Sequence, residues 1–381
     1  MTKIQNRIIS FFLRHPNFFF LYVNTYFPFS DQFLSKYGHE VNWNIISYNI
    51  SLIRNWDFID KYKDVLNWDN LSLEDIGWNE KMVDHYIDKL LWKSKTWQSK
   101  NEDYYYVESF CANPSFNWNQ RLINKYKHLI DWYDLSQNEG EFWNEALLEE
   151  YEEYLNWEKL SFNPSIPFTL DLLQKYNKNW DWDLLLNNAG VCSKSDIIEK
   201  YQNRISWFNV CLSQNEIINE EFLKRWNLKI NWNAIAMNKH YVKSMEVFNR
   251  HLDKWHSHNS FSALSCNENL PWSVDFIEQY FDKWDWEDLS SNDGLPWTIN
   301  FIDKFEDFIY FGHNEKISEY EESMIFGVRI LEDFPWGIDL LEKYEHKWDF
   351  DDFIQNKGLW NKAFKPYVNQ DMINLIFRIL V

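Results

Sequence analysis

Histidine and cysteine are the residue types in this sequence that could most readily bind a metal or act as nucleophiles. His251, His256 and His258 lie close together, with His240 upstream, and two histidines separated by one residue can bind zinc. An exposed irregular loop is the simpler interpretation, because the cluster falls on an insertion in the repeat described below. We therefore predict no metal site.

The four cysteines are far apart and show no CxxC spacing, so neither a zinc knuckle nor a redox pair is readable. Cys111 and Cys211 occupy a position that the repeat usually gives to serine, where a small side chain is needed. We expect buried, unreactive thiols there. Unpaired cysteines favour a reducing compartment, which predicts a cytoplasmic protein.

Acidic side chains are so frequent that neighbouring pairs, such as Glu149 with Glu150, are explained by a solvated helix face. The chain has 58 acidic residues against 38 basic ones, and a net charge of -20. It contains no GxSxG, P-loop, HExxH or glycine-rich dinucleotide motif. We therefore predict that it is not an enzyme and needs no cofactor.

The negative charge also restricts the partners. It repels phosphate backbones and anionic lipids, so direct binding to nucleic acid or to a membrane is disfavoured, and a protein with a basic surface is the favoured partner. The apolar run "IISFFL" is interrupted by Arg14, His15 and Pro16, so we expect no signal peptide. No apolar stretch of 18 residues suggests a membrane helix.

The elements that must position any site come from a repeat. The pattern WxxLSxN begins at Trp132, Trp157 and Trp286, and related segments, such as WDNLSLE from Trp68, begin at other residues, mostly 25 apart. A fixed period of this size is typical of a solenoid. The anchor residues of the recognised copies are 18, 43, 68, 107, 132, 157, 182, 207, 232, 261, 286, 325 and 350.

Each unit is predicted to contain two helices. Helix A starts just after a second tryptophan, at a capping residue such as Ser273 or Asn119, and runs about three turns. Helix B starts at the anchor, behind an Asp or Asn cap such as Asp285. An Asn such as Asn138 or Asn292 then closes helix B, and we expect it to adopt a left-handed turn.

Residues 261 to 300 most clearly resemble a Trp-rich two-helix repeat of bacterial and viral proteins, with units of the form "LSxNxxLPWSxxFIxxYxxKWDW". The resemblance implies an all-α fold and implies nothing about mechanism. We predict an α-solenoid of about thirteen 25-residue helix-turn-helix repeats, forming one elongated domain over residues 1–381. Residues 1–40 would form an N-terminal cap with a degenerate repeat, 41–360 the repeats with insertions near 93–106, 251–260 and 312–324, and 361–381 a C-terminal cap.

Most of the 23 tryptophans occupy periodic positions, so core packing is the favoured interpretation. Two groups are candidates for contact with a partner. One is the position two residues before the anchor, which only some units fill with tryptophan: Trp180, Trp284 and Trp348. The other lies in the first long insertion, because Tyr and Trp are enriched at interfaces: Trp97, Tyr104, Tyr105 and Tyr106.

These observations favour a non-catalytic protein-interaction scaffold or adaptor with an acidic, extended surface. Two alternatives stay open. An acidic rod could mimic nucleic acid and inhibit a DNA-handling enzyme, or a ladder of exposed aromatic side chains could bind carbohydrate.

Overall fold

The computed structural model describes residues 1–98, 104–213, 216–311, 331, 334–348, 350–353 and 356–381. The chain forms two compact units. Unit 1 contains residues 1–45 and 218–381, and unit 2 contains residues 46–217. The prediction of one elongated domain with about thirteen repeats stays a prediction. The proposed anchor at residue 325 and the insertion at 312–324 lie outside the described residues.

Short helices dominate both units, which confirms the all-α prediction. The N-terminal helices of unit 1 are α1 (Lys3–Arg14), α2 (Pro16–Tyr26) and α3 (Asp31–Tyr37), and α4 (Trp43–Ile46) crosses into unit 2. Unit 2 continues with α5 (Ile50–Ile53), α6 (Trp56–Tyr62), α7 (Trp68–Leu73), α8 (Glu80–His85), α9 (Gln120–Tyr126), α10 (Trp132–Gln137), α11 (Glu145–Glu150), α12 (Trp157–Phe162), α13 (Leu170–Lys175), α14 (Trp182–Leu185), α15 (Ala189–Cys192), α16 (Ser195–Tyr201) and α17 (Trp207–Leu212).

The remaining helices belong to unit 1. They are α18 (Glu220–Arg225), α19 (Trp232–Met237), α20 (Met245–Arg250), α21 (Leu252–Ser257), α22 (Phe261–Ser265), α23 (Val274–Gln279), α24 (Trp286–Ser290), α25 (Ile299–Phe305), α26 (Ile338–Lys343), α27 (Lys357–Leu359) and α28 (Gln370–Leu380). Short 3₁₀ turns cover Phe110–Ala112, Glu345–Lys347 and Phe350–Phe353, and a π turn covers Trp360–Phe364.

The helix starts agree with the sequence prediction. The Ser273 hydroxyl accepts the amide of Phe276 at 3.2 Å at the start of α23, a helix A. The Asp285 carboxylate accepts the amides of Glu287 and Asp288 at the start of α24, a helix B. Helix A is shorter than predicted. Most copies have six or seven α-helical residues, which is about two turns.

The asparagine that closes helix B has a different role from the predicted one. Asn138 is extended, with φ -64° and ψ 123°, and Asn259 is the non-glycine residue with positive φ in the described part of the chain. The buried Asn138 side-chain amide donates to the carbonyl oxygens of Cys111 and Asn113, at 2.9 and 3.1 Å. Asn163 repeats the pattern on Ser136 and Asn138, so these amides join successive repeats.

The serine of the pattern forms a second link between repeats. The buried Ser136 hydroxyl donates to the Trp132 carbonyl at 2.6 Å and accepts the backbone amide of Asn156, the next cap, at 2.9 Å. Ser161 makes the same bonds to Trp157 and Asp181. A buried hydroxyl that both donates and accepts is fully satisfied, which explains why a small hydroxylated residue recurs here.

The first long insertion departs from the helical prediction. Strands β1 (Lys95–Gln98) and β2 (Tyr104–Val107) form an antiparallel hairpin in which Lys95 pairs with Val107. The hairpin belongs to unit 2. The insertion at 251–260 also differs from the predicted irregular loop, because it contains helix α21.

The two segments predicted as terminal caps pack against each other inside unit 1. Helix α1 contacts α26 and α28, and the Arg7 guanidinium forms ion pairs with Asp339 and Glu342, at 2.7 and 2.6 Å. The Gln5 side-chain amide donates to the Tyr367 carbonyl at 2.9 Å. An array with separate ends does not predict these contacts.

Among the described residues, no helix is both long enough and apolar enough to cross a bilayer.

Candidate interaction surface

Three of the tryptophans predicted to contact a partner lie in the core. Trp180, Trp284 and Trp348 are only 4 to 7 % exposed. The Trp284 indole donates to the Ile277 carbonyl at 3.1 Å and packs against Trp272, with ring centroids 5.0 Å apart. Their burial against aromatic residues near the start of the same unit counts against partner contact, which stays a prediction for these three residues.

The tyrosines of the first insertion give a different result. Tyr105 and Tyr106 lie on β2 and are 47 and 46 % exposed. The side chains of Trp97 and Tyr104, also predicted to contact a partner, lie outside the described residues. Among the predicted contact residues whose side chains are described, Tyr105 and Tyr106 are therefore the exposed ones.

Two aromatic residues from neighbouring helices extend this surface. The rings of Tyr106 and Tyr133 meet edge to face with centroids 6.1 Å apart, and Tyr133, on α10, is 40 % exposed. Phe162, at the end of α12, is 66 % exposed. Helices α10 and α12 pack against each other. We call Tyr105, Tyr106, Tyr133 and Phe162 the aromatic patch.

A lysine lies over one ring of the aromatic patch. The Lys159 ammonium is 4.6 Å from the centroid of the Tyr133 ring, within the distance at which a cation is attracted to an aromatic face. Lys159 lies on α12, one turn before Phe162. The Tyr133 ring is therefore already a cation-binding surface in the free protein.

Carboxylates lie next to the aromatic patch. Asp134 is fully buried and accepts the Tyr106 hydroxyl at 2.5 Å and the Ser109 backbone amide at 2.6 Å. Asp131, the cap of α10, accepts the backbone amide and the hydroxyl of Ser94, both at 3.1 Å. These bonds attach the hairpin to α10.

Glu108 follows β2 directly and accepts the side-chain amide of Gln137 at 2.7 Å. Partial burial and the neighbouring Asp134 charge raise the pKa of Glu108. Burial also raises the pKa of Tyr106, whose hydroxyl is bonded to Asp134. Both shifts have the direction expected for acidic groups that lose contact with water beside a negative charge.

The carboxylates on the helices A are in a different environment. Glu80 on α8 binds Arg121 and Lys125 on α9, at 2.7 and 2.8 Å. These hydrogen bonds lower the pKa of Glu80 to about 2. Similar ion pairs join other consecutive helices A: Glu145 and Glu149 with Lys175, Glu220 with Arg250, and Glu278 with Lys304.

The histidine cluster is part of a hydrogen-bonded network. His251 Nε2 lies 2.8 Å from the Tyr241 hydroxyl, which also donates to Glu220 at 2.6 Å. Burial lowers the pKa of His251. In the described part of the chain no group of three or more His, Cys, Asp or Glu side chains is arranged to hold a metal ion.

The cysteines are placed as the sequence suggests. Cys111 and Cys211 are buried, and burial raises the pKa of the Cys111 thiol to about 12. The Cys111 sulfur accepts the Asp131 backbone amide at 3.3 Å, which is the bond that serine makes in other units. A protonated, buried thiol is a poor nucleophile.

A cleft of about 420 Å³ lies in unit 1 between the start of α2 and the 3₁₀ turn near residue 350. Its basic side chains are Arg14 and His15, and both are bonded to Glu345, at 3.0 and 2.7 Å. The cleft therefore presents no uncompensated positive charge to an anionic ligand.

No protein-family model, no curated protein and no solved structure matches this chain. The resemblance to Trp-rich repeat proteins stays a prediction.

Sequence reasoning missed three residues of this surface: Tyr133, Phe162 and Lys159. One signal was available for Tyr133. It directly follows the anchor, where most units have a polar residue such as Asp69, Glu158 or Asp183. An aromatic residue at a position that is usually polar and solvated is the kind of exception that marks a contact surface.

Proposed function

We propose that this protein is a non-catalytic protein-interaction scaffold or adaptor, and that the aromatic patch of unit 2 is its main contact surface. One observation carries the proposal: Tyr106 and Tyr133 are exposed with their rings in edge-to-face contact, and Tyr105 and Phe162 are exposed on β2 and on α12, which packs against α10. Most aromatic side chains of the periodic positions are buried or half-buried.

The composition of the patch supports protein binding. Tyrosine provides a large contact area with few rotatable bonds and a polar tip, and it is enriched where proteins meet. The hydrogen bonds of Asp134 to Tyr106 and Ser109 hold the hairpin against α10. A pre-organised surface loses less conformational entropy on binding.

The two alternatives receive less support. A mimic of nucleic acid needs free carboxylates at regular spacing, whereas the carboxylates that recur on the helices A, such as Glu80, Glu145 and Glu220, are paired with basic side chains of the next helix A. A carbohydrate-binding ladder was expected to use Trp180, Trp284 and Trp348, which are buried. No group of side chains described above suggests catalysis.

Site-specific photo-crosslinking tests the proposal. A photoreactive phenylalanine analogue replaces Tyr105 in the full chain inside the producing cell, and a second protein carries it at Phe208. Phe208 is the control because it is an aromatic residue of unit 2 with similar exposure, 41 % against 47 % for Tyr105. We expect a discrete protein adduct from position 105 that disappears when Tyr133→Ala is added.

Equal crosslinking from positions 105 and 208, or an adduct at position 105 that Tyr133→Ala does not change, would contradict the assignment of the aromatic patch. Circular dichroism of the Tyr133→Ala protein controls for loss of folding.

A further inference from the structure

We propose that the aromatic patch binds an extended, arginine-rich segment of a partner protein, with guanidinium groups stacked on Tyr133 and Tyr106 and directed towards Glu108. This inference rests on the proposed function and specifies the chemistry of the partner. Three observations support it: the cation over Tyr133, the carboxylates beside the rings with hydrogen bonds from uncharged groups, and the charge of the surrounding segment.

The Tyr133 ring shows that a cation is stable at this place. Lys159 lies over it at 4.6 Å, although its ammonium group could be fully hydrated elsewhere. Guanidinium is more weakly hydrated than ammonium and is planar, so it stacks on aromatic rings more favourably. An arginine from a partner can therefore compete with Lys159 for the exposed ring.

Positive charge beside the rings is limited: Lys159 acts on the charge of Glu108, but in the described part of the chain it forms no hydrogen bond with that carboxylate. In the described part of the chain, the carboxylates of Glu108, Asp131 and Asp134 accept hydrogen bonds only from uncharged groups: Gln137, Ser94, Ser109, Tyr106 and the amides at the start of α10. A buried or half-buried carboxylate without a cationic partner is costly. A guanidinium can contact a carboxylate with two hydrogen bonds, and Glu108 is exposed enough to receive it.

The surrounding segment attracts positive charge. No lysine or arginine lies between Lys127 and Lys159, but ten acidic residues do. In the described part of the chain, two of the ten form an ion pair, Glu145 and Glu149, both with Lys175. A local excess of one charge concentrates partners of opposite charge and speeds their association. The acidic residues are Asp131, Asp134, Glu139, Glu141, Glu145, Glu149, Glu150, Glu152, Glu153 and Glu158.

A set of fluorescent peptides tests the chemistry of the partner. The probe is a peptide of five Arg-Gly-Ser repeats, and its binding to the full chain is measured by fluorescence anisotropy. Two matched peptides replace every arginine by lysine or by citrulline, which has nearly the shape of arginine but no charge. We expect the order arginine, lysine, citrulline in affinity, and weaker arginine binding as the salt concentration rises.

Two variants with matched controls locate the binding site. Tyr133→Leu removes the ring, and its control, Phe208→Leu, changes the equivalent exposed aromatic residue in another repeat. Glu108→Gln removes one carboxylate, and its control, Asp183→Asn, removes one exposed charge elsewhere in unit 2. We expect each patch variant to weaken arginine-peptide binding about two- to fivefold, and each control to change it by less than half of that.

Lys159→Gln gives the sharpest test, because the expected effect is a gain. Removal of the resident cation frees the Tyr133 ring and leaves Glu108 with less compensation. We expect the arginine peptide to bind about two- to fivefold more tightly to this variant. A purely nonspecific attraction to negative charge predicts an equal gain when Lys178, elsewhere in unit 2, is replaced by Gln.

The outcomes separate this inference from the proposed function. Equal binding of the arginine and citrulline peptides, equal effects of Glu108→Gln and Asp183→Asn, or preferential binding of a neutral oligosaccharide would overturn the arginine inference. If the crosslinked partner at position 105 depends on Tyr133 but has no basic segment, the proposed function stands and the arginine inference fails. If position 105 gives no Tyr133-dependent adduct and the arginine peptide shows no preference over citrulline, both the proposed function and the arginine inference fail.

Discussion

The two tryptophans of "KWDWED", Trp284 and Trp286, differ in how deeply they are buried. Trp284 is 6 % exposed and contacts Phe261, Trp272 and Phe276, with ring centroids 5.0 to 5.3 Å away. Trp286, the anchor, is only half-buried, between Phe305 and Phe308. Trp284 rather than the anchor is therefore the deeper core residue.

We expect Trp284→Ala to lower the free energy of unfolding by about 3 to 5 kcal/mol, because it leaves a cavity in a packed aromatic cluster. Trp286→Ala should cost about half as much, because part of its ring already contacts water. Urea unfolding followed by circular dichroism measures both values. A larger loss for Trp286→Ala would contradict this assignment of the core.

Single residues were predictable where their bonds are local. The caps of helices A and B were identified correctly because Asp285 and Ser273 bond to amides two or three residues ahead. The closing asparagines were misassigned because the partners of Asn138 lie 25 and 27 residues back, beyond what one unit of sequence reveals. Burial of Trp180 was missed because it lies beyond the end of α13, where helical periodicity does not indicate which side chains face the core.

The hairpin and the helices A also depend on contacts between segments that are far apart in the sequence, which local patterns do not predict. Strands of four residues such as Lys95–Gln98 are too short for alternation to be read, and their pairing depends on a contact between two separated segments. The tyrosines were recognised by residue type alone. The helices A were recognised by their apolar pattern. The ion pairs between consecutive helices A, which we call the ladder, were not, because each acidic residue pairs with a basic residue of the next repeat.

We expect the ladder on the helices A to make unit 2 sensitive to acid. The folded-state pKa of Glu80 is about 2, below its usual 4.5, because Arg121 and Lys125 donate hydrogen bonds to it. A lowered pKa stabilises the fold above pH 4.5, and this stabilisation is lost as the pH falls from about 4.5 towards 2. Melting temperatures measured between pH 7 and pH 2.5 should fall across this range.

Glu80→Gln should flatten part of that decline, since the variant has no carboxylate to protonate at this position. Glu141→Gln is a control, because Glu141 is an exposed acid of unit 2 outside the ladder. An identical pH profile for wild type and Glu80→Gln would show that the ion pairs do not contribute.

At the scale of the whole chain, the period of 25 residues predicted the stacking of similar units, but not the packing of the N-terminal segment on the C-terminal one within unit 1. Helices α1 and α28 are separated by more than 350 residues and contact each other. Their amphipathic patterns identify an apolar face on each helix. Such patterns do not identify which face covers which, so two independent caps were the natural prediction.

We expect deletion of residues 1–14 to expose the faces of α26 and α28. Phe11 and Phe12 are fully buried, and Phe11 packs against Phe350 and Phe364, with ring centroids 5.3 and 6.2 Å away. Hydrogen exchange followed by mass spectrometry should show faster exchange over residues 338–343 and 370–380 in the truncated chain. Unchanged protection there would contradict the contact.

The paired bonds of the closing asparagines bear on how such a chain can change in length during evolution. Asn138 and Asn163 each donate to carbonyl groups 25 and 27 residues earlier. Residues can be added between the bonded positions, since Asn113 makes the same two bonds across the first long insertion, to the carbonyls of Ser72 and Glu74, 41 and 39 residues earlier. Duplication or excision of a whole unit would supply each amide with an equivalent acceptor, so a gene for this architecture can grow or shrink in steps of one repeat with its internal bonding intact.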